Sequence, residues 1–204
     1  VQPELARPDR ESIIEAAYAC LSQPHTGPIP VAAILQRAQV STRAFYRHFE
    51  SKDELFLAML RRETDALADR LDRVAENGSG APADRLEAWI EVMFGLFHDD
   101  EVRMQFTVID SDEVRAAKGY RETREKAHAD RERSLVKILR RGCEDGSFPL
   151  ADPEQDAFAV NAIISRVMVL QTYDDHEGLR RAKARVLDFA LRALGAEKHA
   201  ADRR

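Results

Sequence analysis

The sequence predicts an all-helical protein of about nine helices, three short ones first and longer ones after. Three observations carry this. Apolar residues recur at three-and-four spacing through most of the 204 residues. The nine glycines and eight prolines fall mainly between those periodic stretches. Helix-start signatures, Ser or Asp followed three residues later by Glu or Gln, stand where the stretches begin.

In chain order, the first helix is expected over residues 8–21, where Ile13, Ala17 and Cys20 share a side with Ile14 and Leu21 beside it. The loop QPHTGPIP follows. A short helix covers Val31 to Ala38, with Pro30 suited to its first turn. Gln39 and Val40 break it. Ser41 fits an N-cap, because its hydroxyl can accept from free amides of the next turn, and a short helix runs from Thr42 to His48. Ser51-Lys-Asp-Glu reads as a capping box, Glu54 reaching back to the Ser51 amide, and opens a helix to about residue 76. After the loop ENGSGAP, helices are expected over 83–97, 100–108 and 112–144, the last with a break near Gly119. Asp152-Pro-Glu-Gln is a second capping box. The last two helices cover about 153–173 and 177–194, with Gly195 placed to end the second.

Composition narrows the function. No apolar run is long enough to cross a bilayer. The N-terminal stretch lacks the apolar centre of a signal peptide. Two cysteines, far apart and without motif spacing, fit a reduced, cytoplasmic protein. No G-x-G-x-x-G, P-loop, H-E-x-x-H, C-x-x-C or G-x-S-x-G occurs, so no enzyme activity and no cofactor are expected. Two acid–histidine clusters, His98 to Glu101 and Asp174 to Glu177, fall at helix starts, where acids serve as caps, and no metal is expected at either.

Charge is uneven. Net charge is −5, yet residues 1–62 hold eight Lys/Arg against seven Asp/Glu, while the remainder holds 23 against 29. No acid lies between Glu15 and Glu50, where average composition would place about six. That span holds Arg37, Arg43, Arg47, His25 and His48. Two short helices joined by a tight turn form a helix-turn-helix, whose second helix enters the DNA major groove. Phe45 and Phe49, four apart, pack inward, which leaves Thr42, Arg43, Tyr46 and Arg47 on the other sides. Arginine can bond guanine O6 and N7, while Tyr, His, Ser and Lys can hold phosphates. Acids there would repel the DNA backbone.

These residues resemble a known family. Val31-Ala-Ala-Ile-Leu-Gln-Arg-Ala-Gln-Val-Ser, then Ala44-Phe-Tyr-Arg-His-Phe, then Ser51-Lys-Asp-Glu-Leu, are similar to the DNA-binding domain of tetracycline-repressor-type (TetR) regulators. The similarity covers about residues 8–62. It implies a helix-turn-helix DNA-binding domain over 1–62 and an effector-binding and dimerisation domain over 63–204. It also implies a homodimer on a palindromic double-stranded operator, and release when a small ligand binds among the middle helices. By position, Ser41, Thr42, Arg43 and Ala44 fall where family members touch bases and nearby phosphates. Tyr46, His48 and Lys52 fall where they grip phosphates. Arg47 joins them as an outward-facing cation. Three positions depart from the family pattern: Gln39 stands where glycine is usual, and Pro30 and Ala44 stand where threonine is common. A non-glycine residue at a left-handed position is strained by about 1–2 kcal/mol.

Trp89, Met93, Phe94, Phe97, Met104, Phe106, Tyr120, Met168 and Tyr173 are either ordinary core or the lining of a cavity for an apolar ligand. As a set they lead us to expect a cavity. Asn161, Ile164 and Met168 share a side of one late helix, and Leu179, Val186 and Phe189 a side of the last. Both helices carry more apolar face than a surface helix needs, which fits a two-fold interface. The alternative is a DNA-binding architectural or partner-binding factor with a filled core and no ligand.

Overall fold

The computed structural model describes residues 6–78, 80–96, 99–170 and 175–196. The described residues form ten helices: α1 (Ala6–Leu21), α2 (Val31–Ala38), α3 (Thr42–His48), α4 (Lys52–Asn77), α5 (Pro82–Gly95), α6 (Asp100–Ile109), α7 (Asp112–Arg115), α8 (Tyr120–Glu144), α9 (Pro153–Leu170) and α10 (His176–Ala193). There is one more helix than the nine expected, because 112–144 is two helices. Gly119 takes φ +92, a conformation that interrupts helical hydrogen bonding, and α8 starts afresh at Tyr120.

The helix starts show how local chemistry sets the boundaries. The Ser51 hydroxyl accepts from the Glu54 amide at 3.1 Å, as expected. The return bond differs: the Glu54 carboxylate accepts from the amide of Glu50, not of Ser51. The second box behaves likewise. Asp152 accepts from the Gln155 amide at 3.2 Å, but the Asp152 amide donates to Asp156 at 2.8 Å, bypassing Gln155. In both, the returning carboxylate spans four residues instead of three. Asp175 caps α10 by accepting from the Gly178 amide at 2.7 Å.

By contacts the chain packs as two units, residues 1–65 with 100–125 and residues 66–99 with 126–204. In the first, α1 packs on α2, α3 and α6. Its core joins Ile13, Ala17 and Tyr18 of α1, Ile34 of α2, Phe45 of α3, Phe49, and Phe56, Met59 and Leu60 of α4 to Val108, Ile109 and Val114. One polar pair is buried there. The Tyr18 hydroxyl donates to Glu63 Oε1 at 2.9 Å. Burial, reinforced by the Glu63 charge, pushes the Tyr18 phenol well above its usual range, and burial also raises the Glu63 carboxyl.

In the second unit α10 packs on α5 and α9. Trp89, Ile90, Met93 and Phe94 of α5 are buried, as are Leu135, Ile138 and Leu139 of α8. The Trp89 indole N–H donates to the Ser134 hydroxyl at 2.8 Å, which satisfies its one polar atom inside the core. Phe148 lies against the backbone of Gly142, where a Cβ would come within 2.0 Å of its ring.

Candidate nucleic-acid interface

The α2–turn–α3 segment is built by its own caps. Gln39 ends α2 at φ 56, ψ 36, the left-handed conformation. The Val40 amide donates back to the Leu35 carbonyl at 3.2 Å and the Gln39 amide to Gln36 at 3.3 Å, a Schellman-type closure. The position where the family usually carries glycine is thus the one non-glycine residue with positive φ among the described residues. The Ser41 hydroxyl accepts from the Ala44 amide at 3.1 Å and starts α3 as expected.

α3 has a seated face and an open face. Phe45 and Phe49 are 0% and 2% exposed, their rings 5.6 Å apart, and the Arg10 guanidinium lies 5.5 Å from the Phe49 ring centre. Ala44 is buried beside Phe45, so its side chain helps seat the helix. Ser41, Thr42, Arg43, Tyr46 and Arg47 are exposed. Tyr46 is 60% exposed although aromatic, its ring edge-on to Phe45 at 5.2 Å. His48 is half-buried, with its Nε2 enclosed and without a hydrogen-bond partner. A rigid helix offering two arginines, a threonine and a tyrosine hydroxyl on one surface has the donors needed to meet base edges and phosphates.

Lys52 is placed differently from these. Its ammonium is bonded to the Glu113 carboxylate of α7 and lies 5.2 Å from the Phe56 ring centre. Glu113 also accepts from the Ile29 amide at 2.9 Å and lies 3.5 Å from His25 Nε2. Nothing in the sequence spacing signals this junction, since 61 residues separate Lys52 from Glu113.

The family model described as bacterial regulatory proteins, tetR family, matches residues 13–59, which is α1 through the first turns of α4. Over those residues the chain is similar to TetR-family regulators. TetR-family regulators are not enzymes. The chain is 34% identical over 83 residues to the HTH-type transcriptional repressor KstR of Mycolicibacterium smegmatis, a match covering 41% of this chain and 40% of that protein. It is 32% identical over 78 residues to the HTH-type transcriptional repressor NemR of Escherichia coli, covering 38% and 39%. These matches span about two fifths of each relative's length. Among solved structures, SmeT in complex with triclosan is 26% identical with a TM-score of 0.74, over 91% of this chain and 90% of that one. SmeT is described as the repressor of a Stenotrophomonas maltophilia multidrug efflux pump. No helix among the described residues is long and apolar enough to cross a membrane.

The expected ligand-lining residues divide between the two units. Trp89, Met93 and Phe94 are 0–2% exposed in the second, and Met168 is half-buried on α9. Met104, Phe106 and Tyr120 pack against the core of the first. There the Tyr120 hydroxyl donates to Asp110 at 2.9 Å, and burial with the Asp110 charge pushes its phenol up to about 12. Phe97 and Tyr173 lie outside the described residues, as do His98 and Asp174 of the acid–histidine clusters.

Of the expected dimer residues, Asn161, Ile164, Leu179 and Val186 are buried within this single chain at 1%, 0%, 3% and 5% exposure. Asn161 is a hydrogen-bond hub. It accepts from Arg131 Nε at 3.3 Å and donates to Glu132 at 2.8 Å. Phe189 is 47% exposed. Sequence reading passed over Phe158, Val169 and Leu170 of α9, which are exposed at 62%, 75% and 62%. Phe158 and Val169 are eleven residues apart, three helical turns, and so share a face.

Proposed function

We propose that this chain is a homodimeric, sequence-specific DNA-binding repressor, released from a palindromic operator by a small apolar ligand. The observation that carries the reading is the open face of α3, two exposed arginines and an exposed tyrosine on a helix seated by Phe45 and Phe49, in a tract without acids. Residues 1–62 form the DNA-binding domain and 63–204 the effector-binding and dimerisation domain. Arg43 and Arg47 read bases or phosphates, with Ser41 and Thr42 beside them. Tyr46 and His48 hold the backbone, and Ala44 sets the depth of the helix. KstR and NemR are named as repressors, and SmeT as a repressor solved with triclosan; these names support repression and an apolar effector.

The dimer face is assigned to the exposed apolar side chains of α9 and α10, Phe158, Val169, Leu170 and Phe189, which a monomer leaves in water. The ligand acts by preferring the conformation whose two reading heads are wrongly spaced, which shifts the population away from DNA. A mobility-shift titration with bound operator tests this. Release by a lipophilic compound that also raises the melting temperature is the expected result; a stable monomer at micromolar concentration would refute the paired-head mechanism.

A second reading keeps DNA binding and drops the ligand. The full burial of Trp89, Met93 and Phe94 favours it, since a filled core needs no effector. It predicts that no lipophilic compound shifts the melting temperature.

A further inference from the structure

We propose that Glu113 of α7 is a positioning residue for the DNA-facing surface. It holds the Lys52 ammonium in an internal ion pair and so withholds one cation from the phosphates. The inference rests on the DNA-binding reading above and adds a control point to it.

The geometry is specific. Glu113 ends three interactions at one carboxylate: the Lys52 ammonium, the Ile29 amide at 2.9 Å and His25 Nε2 at 3.5 Å. Its side chain is 15% exposed and that of Lys52 24%. At that depth salt screens the pair less than it screens surface charges. Lys52 also lies against the Phe56 ring, 5.2 Å from its centre, which fixes its direction. A second tether runs beside the first, where the Lys118 amide donates to Asp53 in the first turn of α4 at 3.2 Å. The segment from α7 to Lys118 therefore grips the start of α4 at two adjacent residues.

The same carboxylate supports the entry to α2. That helix is preceded by Pro30, which offers no side-chain cap. Glu113 takes the Ile29 amide next to it and places negative charge by the positive helix end. A displacement of α7 thus frees Lys52 and loosens the lead-in to the α2–α3 reading segment at once. The junction borders a cleft of about 510 Å³ that also reaches Ser111 and Asp112, so it is open to solvent ions.

Glu113→Gln separates the two roles, because the amide oxygen can still accept from Ile29 while the negative charge that holds the Lys52 ammonium is gone. The test is binding to mixed-sequence duplex DNA across a salt series, for wild type, E113Q, K52Q and the double variant. Each phosphate-bound cation adds about 0.9 to the slope of log affinity against log salt. E113Q is expected to steepen the slope by about 0.9, an extra loss of about threefold over a fourfold rise in salt. K52Q and the double variant are expected to keep the wild-type slope. A wild-type slope in E113Q, or a slope about 0.9 shallower in K52Q, would overturn the proposal, the latter because Lys52 would already be spent on phosphate. If E113Q does not fold, K52Q alone decides. Wild type that binds no duplex DNA would overturn the DNA reading itself, a separate outcome from a wild type that binds with an unaltered E113Q slope.

Discussion

Replacing Gln39 with glycine is expected to stabilise the protein. Gln39 sits at φ 56, ψ 36, where its Cβ crowds the following carbonyl at a cost of about 1–2 kcal/mol. Its side chain is exposed and makes no described hydrogen bond, so little is lost with it. Against the relief stands the greater freedom of glycine in the unfolded chain, about 0.4–1 kcal/mol. The balance is about 0.5–1 kcal/mol in favour of Gln39→Gly. For a chain of this length that raises the melting temperature by about 1–4 °C. The closing bonds from Val40 and Gln39 are backbone only, so the turn and the aim of α3 stay as they are. Urea and thermal unfolding read the effect, with Gln39→Asn intermediate because asparagine tolerates this conformation, and Gln39→Val the least stable. A neutral or destabilising glycine would refute the strain argument.

Ser41→Ala removes the hydroxyl that caps α3 and should cost about 1 kcal/mol by urea unfolding. Arg43→Ala should weaken operator binding and relax base preference at one position, seen as a larger loss on operator than on random DNA. Gly142→Ala puts a methyl where the Phe148 ring lies, and the strain, about 1–3 kcal/mol, should exceed the gain in helix propensity of about 1 kcal/mol; unfolding experiments on the variant decide. Glu63→Gln keeps an acceptor for Tyr18 and removes a buried charge. Burial raises the folded Glu63 carboxyl above its unfolded value, so its contribution to stability is full below about pH 4.3 and is lost as pH rises through the folded value. The variant should therefore be more stable than wild type at neutral pH, with the gain vanishing in acid on a pH series of melting temperatures.

The N-terminal helices were legible because each boundary carries its own chemistry. Ser41 is a cap by residue type, and Phe45 and Phe49 announce the buried side of α3 by spacing alone. The family pattern adds the expectation of glycine at residue 39, which turns the observed backbone there into a strain estimate. Interactions between distant parts of the chain were not legible. Lys52 reads as a phosphate ligand from its place in the pattern, but its ammonium is taken by Glu113, 61 residues away. Periodicity on α9 and α10 showed more apolar surface than one side needs. It could not say which face the same chain covers. Asn161, Ile164, Leu179 and Val186 are on the covered face, and Phe158 and Val169 are left outside.

The central claim is that the exposed face of α3 reads DNA sequence in a two-fold assembly. Selection of duplexes from a random-sequence pool by the purified protein tests it most directly. The account predicts enrichment of a palindrome whose half-sites lie one DNA turn, or a multiple, apart, with Arg43→Ala losing preference at one base of each half-site. A folded protein that enriches no sequence over successive rounds would contradict it.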